Sequence, residues 1–112
     1  MKLTGKCKEE FEKWYKNTNI WVNHLDTQEF LSLPQSLQYG VYVDFFDSVG
    51  IYISMMASHS HAVDSRFHGF DICVEGDGFC YDIDMGYKTR PEARTKAIEK
   101  ANEIYNNNKN EG

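Results

Sequence analysis

Between Ser32 and Met56 the apolar positions change from helical spacing to simple alternation, and the rest of the chain can be arranged around that change. Leu37, Val41 and Phe45 recur on one side of a helix, while Tyr39, Tyr42, Val43 and Phe46 widen the apolar arc until Gln35, Gln38, Asp44 and Asp47 are nearly all that is left for water. A helix of this kind is covered on more than one side. Ser32 and Gln35 have capping-box spacing, and Pro34 falls in the first turn, where its missing N–H leaves no helical hydrogen bond unmade, so the helix is predicted to begin there. Gly40 in its middle costs about 1 kcal/mol of helix propensity relative to Ala, which points to a close approach by another backbone. Gly50 then supplies a left-handed stop, and Ile51, Ile53 and Met55 alternate as a strand reaching about Ser58.

On the N-terminal side, Cys7, Phe11, Trp14 and Tyr15 fall at i, i+4, i+7 and i+8, the pattern of a surface helix over 5–17 with one buried stripe. Asn17 to Asn19 break it, and Ile20, Trp21, Val22 and Leu25 form a short apolar patch. Asp26 and Glu29 make a second capping box, which predicts a single helical turn over 27–31. On the C-terminal side, SHSHAVDSRFHG reads as a polar loop. Phe70, Ile72 and Val74 then alternate with Asp71, Cys73 and Glu75, and beyond Gly76-Asp77-Gly78 the residues Phe79, Tyr81, Ile83 and Met85 alternate with Cys80, Asp82 and Asp84. This is a hairpin. A Gly76-Asp77 turn sets Val74 opposite Phe79, an Asp77-Gly78 turn sets it opposite Tyr81, and the pattern does not choose. In either register Asp71, Cys73, Glu75, Cys80, Asp82 and Asp84 share the face away from the apolar set, which is therefore expected to be acidic and solvated. Thr89 and Glu92 make a third capping box. Ala93, Ala97, Ile98, Ala101, Ile104 and Tyr105 give the buried stripe of a last helix, whose Asn-rich tail is expected to fray from about residue 107. The elements predict a single α+β domain over residues 1–112 in the order α-α-β-β-β-α, a three-stranded antiparallel meander packed against helices.

Composition fits one domain: 112 residues, 41% hydrophobic and 14% aromatic, suffice for a well-filled core. No run approaches the roughly 18 apolar residues of a membrane helix, and the N-terminus lacks the apolar core of a signal peptide, so a cytoplasmic location is expected. Three cysteines without a C-x-x-C pair fit reduced thiols better than a disulfide framework. The charge is uneven. Asp71, Glu75, Asp77, Asp82 and Asp84 lie in a stretch with no Lys or Arg between Phe67 and Tyr87, and these five equal the whole excess of 17 acids over 12 bases, a net charge of −5.

Four groupings bear on chemistry. His59, His61, Asp64 and His68 combine imidazole with carboxylate, the ligand set of zinc-like ions, and H-x-H on an extended segment points both rings to one side. A metal-dependent enzyme on this loop is one reading, although no phosphate loop, nucleophile elbow or recognised acid/base pair accompanies it, and no cofactor is expected. Cys73 and Cys80 face each other in one hairpin register and are read as reduced thiols; Cys7 is packing. The five hairpin acids can mimic a phosphate backbone and occupy a basic groove on a partner. Lys88, Arg90, Arg94 and Lys96 gather at the start of the last helix.

Helix, three strands and a helix with a basic start resemble the double-stranded-RNA-binding domain over about residues 33–105, and TRPEARTKA is similar to that family's basic helix opening. The resemblance implies an RNA-binding module using Lys88, Arg90, Arg94 and Lys96. Pro91 stands where that family carries a basic residue, and the loop lacks its Gly-Pro-x-His contact, although His68 precedes Gly69. A second likeness lies in LPQSLQYGVYVDFFDSVGIYI and YKTRPEARTKAIEKANEIYN, which look like small phage- and prophage-encoded proteins. It implies a non-enzymatic interaction protein in the bacterial host cytosol. Such a protein would bind and inhibit a host nucleic-acid-handling or defence protein, as an anti-CRISPR does, with the acidic face Asp71, Glu75, Asp77, Asp82 and Asp84 as its contact surface.

Overall fold

The stripe of Cys7, Phe11 and Tyr15 is buried along α1 (Gly5–Asn17), and the apolar arc of the central segment is buried along α3 (Gln35–Ser48) through Val41, Tyr42, Phe45 and Phe46. These helices belong to a computed structural model that describes residues 1–18, 25–59, 67–76 and 79–111; the patch Ile20, Trp21 and Val22 lies outside the described residues. A single-turn α2 (Thr27–Leu31) stands between the two helices. Beyond them come β1 (Ile51–His59), β2 (Phe67–Gly76), β3 (Phe79–Tyr87) and α4 (Arg90–Glu111). The strands form one antiparallel sheet in the order β1-β2-β3, so the chain is the expected α+β meander.

Ile51, Ile53 and Met55 of β1 and Phe70, Ile72 and Val74 of β2 face the helices, where Ala93 and Ala97 let α4 lie close to the strands. α1 in turn rests on α3 and α4. Its Phe11 is the centre of an aromatic cluster, with the rings of Trp14, Tyr15, Phe30, Tyr42 and Phe45 at centroid separations of 4.9 to 5.9 Å. Tilted and edge-on rings at this spacing fill volume while avoiding face-to-face repulsion.

Two of the three predicted caps form. Asp26 Oδ1 accepts from Glu29 N at 2.8 Å, and Thr89 Oγ1 accepts from Glu92 N at 3.2 Å. The third does not, because Pro34, with ψ at 145°, takes the N-cap position of α3 and leaves Ser32 at the end of α2. There the Ser32 hydroxyl donates to Gln28 O at 3.0 Å. The freed Gln35 amide instead donates to Pro91 O at 2.7 Å and Thr95 Oγ1 at 2.9 Å, tying α3 to the start of α4. Among the described residues nothing outside the helix's own backbone lies within 4 Å of a Cβ built on Gly40, so the expected close backbone approach is not seen there.

The last helix continues to Glu111, through the segment expected to fray, and its asparagines have a structural role. Thr4 gives α1 no side-chain cap. Asn106 supplies one from α4: its Oδ1 accepts from Cys7 N at 2.9 Å and its Nδ2 donates to Thr4 O at 2.9 Å, while Asn102 Oδ1 accepts from Thr4 N at 2.9 Å. Among the described residues no helix is long and apolar enough to cross a membrane.

Because Phe11 touches five rings and is almost wholly buried, Phe11→Ala is expected to cost about 3–5 kcal/mol, a large part of the roughly 5–15 kcal/mol that holds a domain folded. Urea denaturation checks this; a loss below about 1 kcal/mol is incompatible with a packed cluster at this position.

Candidate protein-interaction surface

The pairing of β2 with β3 decides which side chains the sheet presents on each face. Next to the turn, Gly76 is opposite Phe79 and Glu75 opposite Cys80, the start of the Asp77-Gly78 register. Then β3 takes up one extra residue, so Val74 meets Asp82 instead of Tyr81, Cys73 meets Ile83 and Ile72 meets Asp84. A second extra residue follows at Met85 and Gly86, which together oppose Asp71 before Phe70 meets Tyr87. Each is a β-bulge, and each reverses which face the following side chains take. Between the two bulges the alternation of β3 is inverted.

The second bulge has evident supports. Gly86 has φ +82°, a left-handed conformation that glycine adopts without strain, and its N–H donates to Asp71 Oδ1 at 3.0 Å. Gly69 lets the bulged strand come close, since a Cβ at that position would stand 2.8 Å from Tyr87 O.

Inversion carries Asp82 and Asp84 to the helix side. Lys100 of α4 meets them there, its Nζ 2.6 Å from Asp82 Oδ2 and 3.7 Å from Asp84 Oδ2. The Tyr87 hydroxyl donates to Asp84 Oδ2 at 2.5 Å, and Met85 N donates to Asp84 Oδ1 at 3.0 Å. Hydrogen bonding from Tyr87 holds the Asp84 carboxyl below its ordinary value, with help from Met85 N–H and Lys100. Burial, reinforced by that same hydrogen bond, pushes the Tyr87 hydroxyl up to about 12, and the bond to Asp82 raises the Lys100 ammonium. The expectation that Asp82 and Asp84 share the solvated face with Asp71 and Glu75 is thus overturned by one inserted residue.

What the inversion turns outward is apolar. Ile83 is 62% and Met85 71% exposed, and they share the outer face with Met56 at 69% and Tyr52 at 42%. Half-buried Asp71, Cys73 and Glu75 run along the central strand between them. Across the sheet, Met56 pairs with Asp71, Ser54 with Cys73 and Tyr52 with Glu75. The result is a shallow groove of about 240 Å³, with Cys73 and Asp71 along its length, Met56 and Ser54 on one side and Ile83 and Met85 on the other. Among the described residues, the helices that contact the sheet lie on its other face, and none covers the outer one.

Asp77, His61 and Asp64 lie outside the described residues. His59 ends β1 opposite Phe67, and His68 is exposed near the start of β2. Among the described residues no group of three or more His, Cys, Asp or Glu side chains is placed to hold a metal ion. Cys80 is opposite Glu75, so Cys73 and Cys80 do not form a cross-strand pair. Cys7 is fully buried, and burial pushes its thiol up to about 12, consistent with packing. Among the bases, the Arg90 guanidinium lies 4.7 Å above the Phe70 ring. Arg94 lies 5.8 Å from the Tyr39 ring and donates to Gln35 Oε1 at 3.4 Å. Lys96 is 3.4 Å from Glu99, and Lys88 is exposed. The residues that sequence reasoning missed are Tyr52, Met56, Ile83 and Met85 as an exposed set. The signal that points to them is Gly86, since an isolated glycine inside a strand pattern marks a bulge.

No protein-family model, curated protein or solved structure matches the chain. Both resemblances therefore rest on the quoted residues.

Asp82 and Glu75 look equivalent by alternation, so charge reversal separates them. Asp82→Lys places an ammonium beside Lys100 and is expected to destabilise by on the order of 1 kcal/mol, whereas Glu75→Lys stays within about 0.5 kcal/mol of the parent. Equal effects in chemical denaturation would contradict the inverted register. Acid titration gives a second check. Asp84 binds its proton less readily folded than unfolded, so its ionisation stabilises the fold above the ordinary carboxyl value of 3.8 and that contribution is lost as pH falls through the lower folded value. The melting temperature of the parent is expected to fall more steeply below pH 3.8 than that of Asp84→Asn; parallel curves would remove Asp84 from the acid response.

Proposed function

We propose that this is a non-enzymatic interaction protein that binds another protein through the outer face of its sheet. One observation carries the reading: Tyr52, Met56, Ile83 and Met85 stand exposed together on one face that no helix among the described residues covers. Single exposed apolar residues are ordinary, but four on one sheet face, flanking the central strand on both sides, point to a contact surface. Burying an Ile or Met side chain contributes about 1.5–3 kcal/mol, and the free domain forgoes that gain at several neighbouring positions. Methionine suits a surface that adjusts to its partner, because it is unbranched and polarizable. Inhibition of a host nucleic-acid-handling or defence protein is the narrower form of this reading, drawn from the phage-like sequence blocks. Its contact surface moves from the five hairpin acids to an apolar face bearing Asp71 and Glu75.

RNA binding by the start of α4 has less support. Arg90 and Arg94 are stacked on Phe70 and Tyr39, Lys96 faces Glu99, and Lys100 is turned toward Asp82 and Asp84. Each of these contacts competes with a phosphate for the same cation.

Photo-crosslinking in bacterial cells tests the contact surface. A photoreactive residue at Met56 or Met85 is expected to trap a discrete protein adduct, while the same residue at Glu9 or Lys13, on the exposed side of α1, traps none. Equal or absent crosslinking at the two sets of positions overturns the reading.

A further inference from the structure

We propose that the groove along β2 receives a lysine or arginine side chain from a positively charged, apolar segment of the partner protein, its alkyl stem between Met56 and Met85 and its charged head on Asp71. This rests on the outer face being the contact surface. None of the three strands contains a lysine or arginine, and neither Asp71 nor Glu75 is in an ion pair with any described residue. Asp71 uses Oδ1 to accept from Gly86 N–H, so its carboxylate is held in place and retains acceptor capacity for an incoming cation. Long basic side chains are built for such a groove, with a stem that packs against apolar surface and a head that seeks a carboxylate. Glu75, four residues along the same strand and roughly 13 Å away, offers a second anchor of the same sign.

Charge selects this occupant over others. A second copy of the chain laid face to face would bring two Asp71 and two Glu75 side chains together with no strand lysine or arginine to neutralise them, and burying unpaired carboxylates is strongly unfavourable. Nucleic acid and anionic lipid are repelled by the same acids. A metal ion cannot bridge carboxylates so far apart along a strand.

The test uses the whole protein with its methionine methyl groups labelled for NMR, and a designed leucine–lysine amphipathic peptide as probe. The control is a leucine–glutamate peptide of the same pattern. The lysine peptide is expected to shift the Met56 and Met85 methyl signals while leaving Met1 in place, and the glutamate peptide to shift none. Asp71→Asn with Glu75→Gln is expected to weaken binding about tenfold and to flatten its salt dependence. The amide introduced at position 71 keeps a side-chain oxygen for Gly86 N–H, so the bulge survives the substitution; an unchanged melting temperature confirms it. Absence of shifts at Met56 and Met85, equal binding of both peptides, or full affinity in the double variant overturns the inference. Ile83→Ser with Met85→Ser separates it from the broader reading. If that variant loses binding while Asp71→Asn with Glu75→Gln retains it, the outer face remains the contact surface and the cation-specific groove is wrong. If neither variant changes binding, the probe binds elsewhere and both readings lose their support.

Discussion

Two inserted residues in β3 decide what the outer face of this sheet is made of. With the strand in uninterrupted register, Ile83 and Met85 would lie against α4, and Asp82 and Asp84 would project into water. The first bulge exchanges the two sets, and the second restores the original sense in time for Tyr87 to lie opposite Phe70 on the helix side. Such an exchange forgoes the burial of two large apolar side chains. What offsets it on the inner side is polar: Lys100 between two carboxylates, and the Tyr87 hydroxyl on Asp84. Partly exposed ion pairs contribute little each, so the exchange is hard to account for by the stability of the free domain alone. A surface that is useful when covered accounts for it more simply.

α4 is the element through which this arrangement is held. Ala93 and Ala97 bring its backbone close to the sheet, Lys100 secures the inverted part of β3, and Arg94 and Thr95 meet Gln35 at the start of α3. Further along the same helix, Asn102 accepts from the N–H of the N-cap residue Thr4 and Asn106 from the Cys7 N–H in the first turn of α1, which has no side-chain cap of its own. One helix therefore fixes the sheet from within and the helical layer at its side. Movement of α4 would disturb Lys100 and hence the register that presents Ile83 and Met85, so the integrity of the outer face depends on contacts made on the opposite side of the sheet.

Much of the fold was legible because it is written in local periodicity. The stripe of Cys7, Phe11 and Tyr15, the caps at Asp26 and Thr89 and the alternation of β1 each follow from residues a few positions apart. What was not legible depends on partners distant in the chain. Alternation shows that a segment is a strand but does not carry its register, and one inserted residue reverses every later assignment of face. Lys100, eighteen positions beyond Asp82, gives no local sign that it will sit between the carboxylates. Asn106, ninety-nine positions beyond Cys7, looks like tail composition until its contact with α1 is seen. The candidate surface was read as acidic for the same reason: of the four hairpin acids among the described residues, Asp71 and Glu75 are placed on the outer face and Asp82 and Asp84 on the inner.

An exposed apolar sheet invites association of identical copies as readily as it invites a partner, and the arrangement of charge bears on both. Asp71 and Glu75 occupy the central strand, so neither can be pushed to the rim when two flat faces meet. Bulges in β3 twist the edge that would otherwise pair with a neighbouring strand, a recognised protection against edge-to-edge assembly. The same two carboxylates that penalise stacking of like copies reward a surface bringing cations of its own. On this face the two carboxylates disfavour the stacking of like copies over the exposed methionine and isoleucine side chains, because the chain's own strands carry no lysine or arginine to neutralise them.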